Sequence, residues 1–397
     1  MADRNKPQAS ARGKRPAPAP KQTEIALVLQ GGGALGAYQA GVYEALVGTQ
    51  YCPHWVAGVS IGAINASIIA GNPQERRVAR LREFWERVSS HLVLPAPENN
   101  HSRVLFNMAS AAMAASFGIP GFYRPRQSHE LFGWSLTPKA NSIYDTRPLR
   151  ETLEELIDFD LINERKVRLS LGAVEVETGN SVYFDNHHQT IGPEHVIASG
   201  ALPPAFAPVE IDGKHYWDGG IVSNTPLQYV LDHRSTAPAL VLQVDLFSAR
   251  GDLPADLPAT LVRHKDILYS SRTRFNTDAI RQKANIQKAV GELLDALPAE
   301  LADHPAAKKL KAFHNPREIN IVHLIYRPPA HHLDSKDYEF SRASVEERWA
   351  DGRRDVQLCI DHPDWLRRTE NSDAVVTYDL TNPNLSHTVI GVESHED

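Results

Sequence analysis

Ser60 stands in Gly58-Val59-Ser60-Ile61-Gly62, between an apolar run, Trp55 to Val59, and a helical pattern through Ala63, Ile64, Ala66, Ile68, Ile69 and Ala70. A serine at a sharp strand-to-helix corner projects its hydroxyl as a nucleophile does, and flanking glycines leave space that side chains would fill. The helix opening beyond it offers unpaired N–H groups and the positive end of its dipole. Upstream, Gly31-Gly32-Gly33-Ala34-Leu35-Gly36 follows a second buried strand pattern, Ile25 to Leu29. Three consecutive glycines let backbone N–H groups approach a developing oxyanion closely. Together the two turns suggest nucleophilic attack on a carbonyl. Each alone also reads as an ordinary strand-to-helix connection.

The first turn has nucleotide-binding competitors. Gly31, Gly33 and Gly36 match G-x-G-x-x-G, but that fingerprint needs an acidic residue about 20 positions on to hold a ribose hydroxyl. Here the stretch holds Cys52, Pro53, His54 and Trp55, and the second strand runs into Ser60. A phosphate loop needs Lys-Ser/Thr where Ala37-Tyr38 stands. A non-catalytic nucleotide-binding module therefore lacks its key polar group in both forms.

Further along lies Ala198-Ser199-Gly200-Ala201-Leu202-Pro203, then Val209 to Gly220, in which Asp212-Gly213 separates two short strand patterns. That dipeptide is a hairpin signal, and the second strand delivers Asp218 beside Gly219 and Gly220. An aspartate next to two glycines is, by itself, an ordinary turn residue.

These motifs, in this order and spacing, resemble the patatin-like phospholipase family. The resemblance also takes in Tyr144-Asp145-Thr146-Arg147-Pro148-Leu149 and a hairpin, Leu169 to Val174 with Ser181 to Phe184, and covers roughly residues 25 to 235. It implies a Ser-Asp dyad hydrolase with Ser60 as nucleophile, Asp218 as base, and the backbone of Gly31, Gly32 and Gly33 as oxyanion hole. Gly36, Gly58, Gly62, Gly219 and Gly220 are the motif-supporting positions. The family's loop reads G-G-G-x-[RK]-G, and this chain has Leu35 in place of that cation, so the loop offers no side-chain charge to a phosphate.

Serine becomes a strong nucleophile only when a base takes its proton, and a carboxylate can do so if burial raises its pKa. Asp218 is therefore expected to be desolvated, with Trp217 and Phe206 as neighbours. An acyl-enzyme on Ser60 and water attack assisted by Asp218 would follow. The alternative within hydrolases is an α/β-hydrolase esterase with a Ser-Asp-His triad, for which His233, His264, His304, His314, His323, His331 and His332 lie downstream. A storage-polyester hydrolase is a further alternative.

The 397 residues are 42% hydrophobic, with 48 acidic against 42 basic side chains. That balance argues against a nucleic-acid partner. The two cysteines, Cys52 and Cys359, are too far apart to suggest a disulfide or metal framework, which fits a reducing, cytoplasmic setting with or without membrane association. His187-His188 and His331-His332 are adjacent pairs that chelate one ion poorly, so no metal and no cofactor is expected. No apolar run is long enough to span a membrane. Val104 to Phe122 carries no charge and two of the three methionines. It reads either as a lid or lipid-contacting helix over the site or as a buried helix.

The expected fold is three-layer α/β/α with a mixed central sheet and a mainly helical C-terminal extension. Residues 1–22, rich in Arg, Lys and Pro, read as a disordered basic tail: a solvated leader, or a contact for an anionic surface. Residues 23–235 form the catalytic domain and 236–397 a C-terminal region completing or packing on the core. Within it Leu240 to Leu246 reads as a central strand, Leu261 to Leu297 as one or two helices, and Ile319 to Tyr326 as a strand. Ser344-Val345-Glu346-Glu347 is a capping box opening a helix through about Ile360. Asp334 to Ser341, before it, reads as a structural turn or as the lining of an acyl or head-group pocket. The stretch from Thr381 on is polar and expected to be mobile. The expected activity is hydrolysis of a lipid or other carboxylic ester, with peripheral membrane contact. The oligomeric state is left open.

Overall fold

The computed structural model describes residues 23–127, 141–235, 237–270, 273–301, 303–313, 319–329, 331–361 and 375–379. The basic tail and the polar stretch from Thr381 lie outside the described residues.

Apolar runs that cannot face water become the parallel strands of one sheet. β1 (Glu24–Leu29), β2 (Trp55–Val59) and β9 (Ala239–Asp245) are buried almost throughout, as strands covered on both faces must be. β10 (Ile319–Ile325) and β11 (Val375–Asp379) extend the sheet beyond β9, so the C-terminal region contributes strands as well as helices. β3 (Arg124–Pro125) and β4 (Tyr144–Asp145) pair with each other alone, and among the described residues nine strands, including β5 (Arg168–Glu175), β6 (Ser181–Asp185), β7 (Val209–Ile211) and β8 (Lys214–Asp218), join in the order β11-β10-β9-β1-β2-β5-β8-β7, with β6 also on β5. The pairs from β11 to β5 are parallel, while β6, β7 and β8 are antiparallel.

β5 (Arg168–Glu175) is the junction. β6 (Ser181–Asp185) pairs with Ser170 to Val174 along one edge. The other edge is shared: β2 takes Arg168 to Gly172, and β8 (Lys214–Asp218) takes Ala173 to Glu175. β2 therefore ends with Val59 opposite Gly172, and β8, running the other way, ends with Asp218 opposite the next residue, Ala173. β7 (Val209–Ile211) joins β8 through Asp212 and Gly213, both at positive φ, as a two-residue hairpin turn of the mirror-image type requires.

Helices cover both faces. Ile25, Leu27 and Leu29 enter one apolar cluster with α1 (Ala37–Leu46) and α2 (Ile61–Ala70), while Ala26 and Val28 enter another with α8 (Leu227–His233). α2 is buried on every side. α3 (Gln74–Val88), α4 (Asn100–Phe117), α5 (Arg147–Leu156), α6 (Phe159–Asn163) and α7 (Pro193–Ser199) complete the N-terminal part. The expected C-terminal helical stretch is two helices, α9 (Leu257–Tyr269) and α10 (Thr273–Asp295), followed by α11 (Pro305–Phe313) and α12 (Arg342–Asp361). α12 opens three residues before the expected capping box, because the Ser341 hydroxyl accepts from the Ser344 N–H and caps it there. It packs on α1 at near backbone contact: a Cβ on Gly41 would lie 2.0 Å from the Trp349 carbonyl oxygen.

α4 is not the buried helix that one reading allowed. Arg103, Asn107 and Ser110 face inward, while Leu105, Met108 and Phe117 are 51–69% exposed. Arg103 bonds Asn107, Ser344 and Glu347, so polar contacts join the burial of Ala111 and Ala114 in holding the helix in place. No helix among the described residues is long and apolar enough to cross a membrane.

The corner between β2 and α2 leaves no room for a methyl group, since a Cβ on Gly58 would lie 2.2 Å from the Gly62 carbonyl oxygen. Gly58→Ala is expected to cost about 1–3 kcal/mol of stability, read as a lower urea midpoint with unchanged slope.

Candidate active site

Ser60 occupies the corner with φ 56° and ψ −124°, in the left-handed region that a side chain enters only under strain. The surrounding bonds over-determine it. The Ser60 N–H donates to the carbonyl and hydroxyl oxygens of Ser199, each at 3.1 Å, and the Ser199 hydroxyl donates to the Gly172 carbonyl at 2.6 Å. The Ser60 carbonyl accepts the first α2 bonds, from Ala63 and Ile64. A Cβ on Gly62 would meet the Leu29 carbonyl at 2.4 Å, so both motif glycines sit where strand ends and helix crowd together.

Asp218, from the end of β8, lines the same cavity as Ser60, whose hydroxyl acts on the carboxyl to pull its pKa down. The Gly220 N–H donates to its Oδ1 at 2.7 Å, and Gly219 packs against the Gly172 carbonyl, where a Cβ would lie 2.7 Å away. The carboxyl is 2% exposed. Burial pushes its pKa up to about 6, outweighing the opposite pull of the Ser60 hydroxyl and the Gly220 N–H. Of the two neighbours expected to desolvate it, Phe206 lines the cavity at this site and Trp217 does not. Successive residues of a strand point to opposite faces, so the tryptophan next in sequence is on the wrong side.

Gly31, Gly32 and Gly33 line the same cavity. They are not equivalent. The Gly31 N–H donates to the Asn224 carbonyl at 3.1 Å, and a Cβ on Gly31 would lie 3.1 Å from the Ser60 Cβ. Among the described residues no protein group accepts from the N–H of Gly32 or Gly33. Gly36 stands behind the cavity, against Ile61 and Trp85.

Two residues that sequence reasoning passed over hold this loop. The Asn224 side-chain amide donates to the carbonyls of Gly31, at 3.1 Å, and Tyr269, at 2.9 Å. Gln30, fully buried, donates to Thr225 and accepts from the N–H groups of Leu246 and Phe247. Their signals were present: a polar residue ending an apolar strand just before Gly31, and Asn224-Thr225-Pro226 soon after the Gly-Gly pair.

The cavity measures about 390 Å³. Its wall is largely apolar and includes a run of aromatic rings in contact, Phe122, Tyr123, Tyr144 and Phe206. Ala115 of α4 lines it, and Asp337, Tyr338 and Phe340 line it too, so the segment before α12 forms pocket wall as well as turn. No histidine lines it among the described residues. His323 pairs instead with Asp245 at 3.0 Å. His331, His332 and Glu347 bring ligand atoms within 4.8 Å of one another. Their surroundings oppose a dication: Arg103 holds Glu347 at 2.7 Å. Burial, then Arg348, His331, Arg103 and Lys336, lowers His332 to about 2.

A family model described as patatin-like phospholipase matches residues 27–231, and a second, described as patatin phospholipase, matches residues 267–372. A cGAMP-activated phospholipase of Pseudomonas aeruginosa is 27% identical over 213 residues, covering 50% of this chain and 53% of that protein. A patatin-like phospholipase domain-containing protein of Caenorhabditis elegans is 41% identical over 61 residues, 15% of this chain and 6% of that protein. The chain thus spans about half, or much less, of the length of these relatives. The crystal structure of VipD from Legionella pneumophila is similar with a TM-score of 0.38 and 15% identity, over 86% of this chain and 67% of that one.

A carboxyl whose folded pKa is raised favours the native state while protonated, and that contribution disappears as pH rises through about 6. Asp218→Asn is therefore expected to melt above wild type at pH 7–8, the difference closing below pH 4. Thermal scans across that range check it.

Proposed function

Because the chain belongs to the patatin-like phospholipase family, we propose that it is a serine hydrolase that cleaves carboxylic esters of lipids through Ser60 and Asp218. The observation that carries this reading is Ser60 beside a buried carboxyl raised to about 6, in a largely apolar cavity also lined by two glycines whose N–H groups have no acceptor among the described residues. In the proposed cycle Asp218 takes the Ser60 proton as Oγ attacks the ester carbonyl. Negative charge on the carbonyl oxygen falls to the N–H groups of Gly32 and Gly33, while Gly31 supplies clearance beside Ser60. Donors of this kind contribute about 3 kcal/mol each. The departing alcohol takes its proton from Asp218, leaving an acyl group on Ser60. Water, activated by the same carboxylate, then releases the acid.

The acyl chain is assigned to the aromatic wall of Phe122, Tyr123, Tyr144 and Phe206. The outward apolar face of α4 supports delivery from a lipid surface by peripheral contact, because Ala115 opens onto the cavity while Leu105, Met108 and Phe117 face solvent. This helix is the lipid-contacting element of the proposal.

Phospholipid, lysophospholipid, acylglycerol and short-chain esters, assayed against Ser60→Ala, test the reading. Hydrolysis of at least one, falling more than about 1,000-fold in the variant, is expected; undiminished turnover in Ser60→Ala would reject it. The wild-type kcat/KM is expected to rise with pH around a midpoint near 6, as Asp218 gives up its proton. Leu105→Ser, Met108→Ser and Phe117→Ser combined are expected to lower activity on phospholipid vesicles at least about fivefold while sparing a soluble short-chain ester. Equal losses on both would remove α4 from lipid contact.

A further inference from the structure

The glycine loop carries Leu35, fully buried, where the pattern G-G-G-x-[RK]-G has a cation. A guanidinium nevertheless reaches the loop from α12. Arg348, 1% exposed, donates Nη1 to the Ala34 carbonyl at 3.2 Å and to the Glu339 carbonyl at 2.9 Å. Its Nη2 donates to the Lys336 carbonyl at 3.1 Å and to Glu339 Oε2 at 3.3 Å. The other backbone group of Ala34 is held by the same segment, because its N–H donates to the Asp337 carbonyl at 2.7 Å. That oxygen lies 2.0 Å from where a Cβ on Gly33 would stand. Fixing the Ala34 N–H fixes the Gly33–Ala34 peptide plane, which adjoins, across the Gly33 Cα at its left-handed φ of 54°, the peptide that carries the N–H of Gly33.

The clamp is electrically closed. Burial raises the Glu339 carboxyl, but Arg348 and the hydroxyls of Ser341, Ser344 and Ser110 outweigh it and hold Glu339 below its ordinary range. The buried pair thus orders the loop without adding net charge beside the place where an oxyanion would form. Gly31, by contrast, is tied to Asn224, so the loop is gripped at one end from the Asp218 turn and at the other from α12.

We propose that Arg348 is a positioning residue: through Ala34, and through the Lys336–Glu339 segment it gathers, it orients the N–H groups of Gly32 and Gly33 toward the reacting carbonyl. The site is then assembled from both ends of the chain, and the C-terminal region belongs to the catalytic apparatus. This rests on Gly32 and Gly33 being the oxyanion donors.

The test uses the full chain with Arg348→Met, which leaves Glu339 buried without its partner, and with Arg348→Met combined with Glu339→Gln, which removes that orphan charge. In the double variant kcat is expected to fall about 10- to 100-fold with KM within about threefold. Hydrogen exchange in peptides covering Gln30–Gly36 is expected to quicken, while that of β1 and α2 stays as in wild type. A double variant with wild-type kcat, or with wild-type exchange in the loop, overturns the proposal. If the wild-type chain hydrolysed no ester, the function proposed above would fall, and the exchange comparison would still decide whether Arg348 holds the loop.

Discussion

One edge of β5 is shared by two strands that arrive from opposite directions, and the rest of the site depends on that sharing. β2 pairs only as far as Gly172 because β8, ending opposite Ala173, takes the edge from there on. The corner residue after β2 and the last residue of β8 must therefore meet. The same geometry determines the state of the carboxyl: a strand that ends inside the sheet leaves its last side chain away from water, and burial is the dominant reason that Asp218 is raised. Position and basicity of the proposed base come from one constraint. Ser199 reinforces it by bridging the Gly172 carbonyl and the Ser60 N–H.

The second half of the chain closes what the first half opens. β9 lies beside β1 in parallel register, and the N–H groups of Leu246 and Phe247 beyond it are held by Gln30, immediately ahead of the glycine loop. α12 lies on α1 at near backbone contact, which brings Arg348 and the segment ahead of it to the back of the loop and puts Phe340 on the cavity wall. α4 fits the same arrangement. Its inward face is bonded to the start of α12 through Arg103, Ser344 and Glu347, while Leu105, Met108 and Phe117 are left exposed.

The sequence made the local pieces of this arrangement legible. Apolar runs bounded by glycine marked β1 and β2, Asp212-Gly213 marked the turn between β7 and β8, and the glycine-flanked serine marked the corner, because each signal lies within a few residues of its effect. What stayed hidden was long-range or directional. Periodicity along α4 shows which residues share a face but not which face points inward, and here Arg103 and its partners lie inward beside Ala111 and Ala114 while the larger apolar side chains face out. Trp217 looked like a shield for Asp218 only because it is adjacent in sequence. Ser344 looked like a helix cap until Ser341, three residues earlier, supplied the hydroxyl. The grip of Arg348 on the loop follows from tertiary approach alone, and the signals of Gln30 and Asn224 mark polar residues without showing what they hold.

The central claim is that Ser60 carries the acyl group between two half-reactions. Rapid quenching of the enzyme with a slowly deacylating ester, followed by intact-mass measurement and peptide mapping, tests it most directly. A transient adduct with the mass of the acyl group is expected on the peptide containing Ser60, forming and decaying at rates compatible with turnover. Turnover with no such adduct, or with the acyl group on another residue, would contradict it.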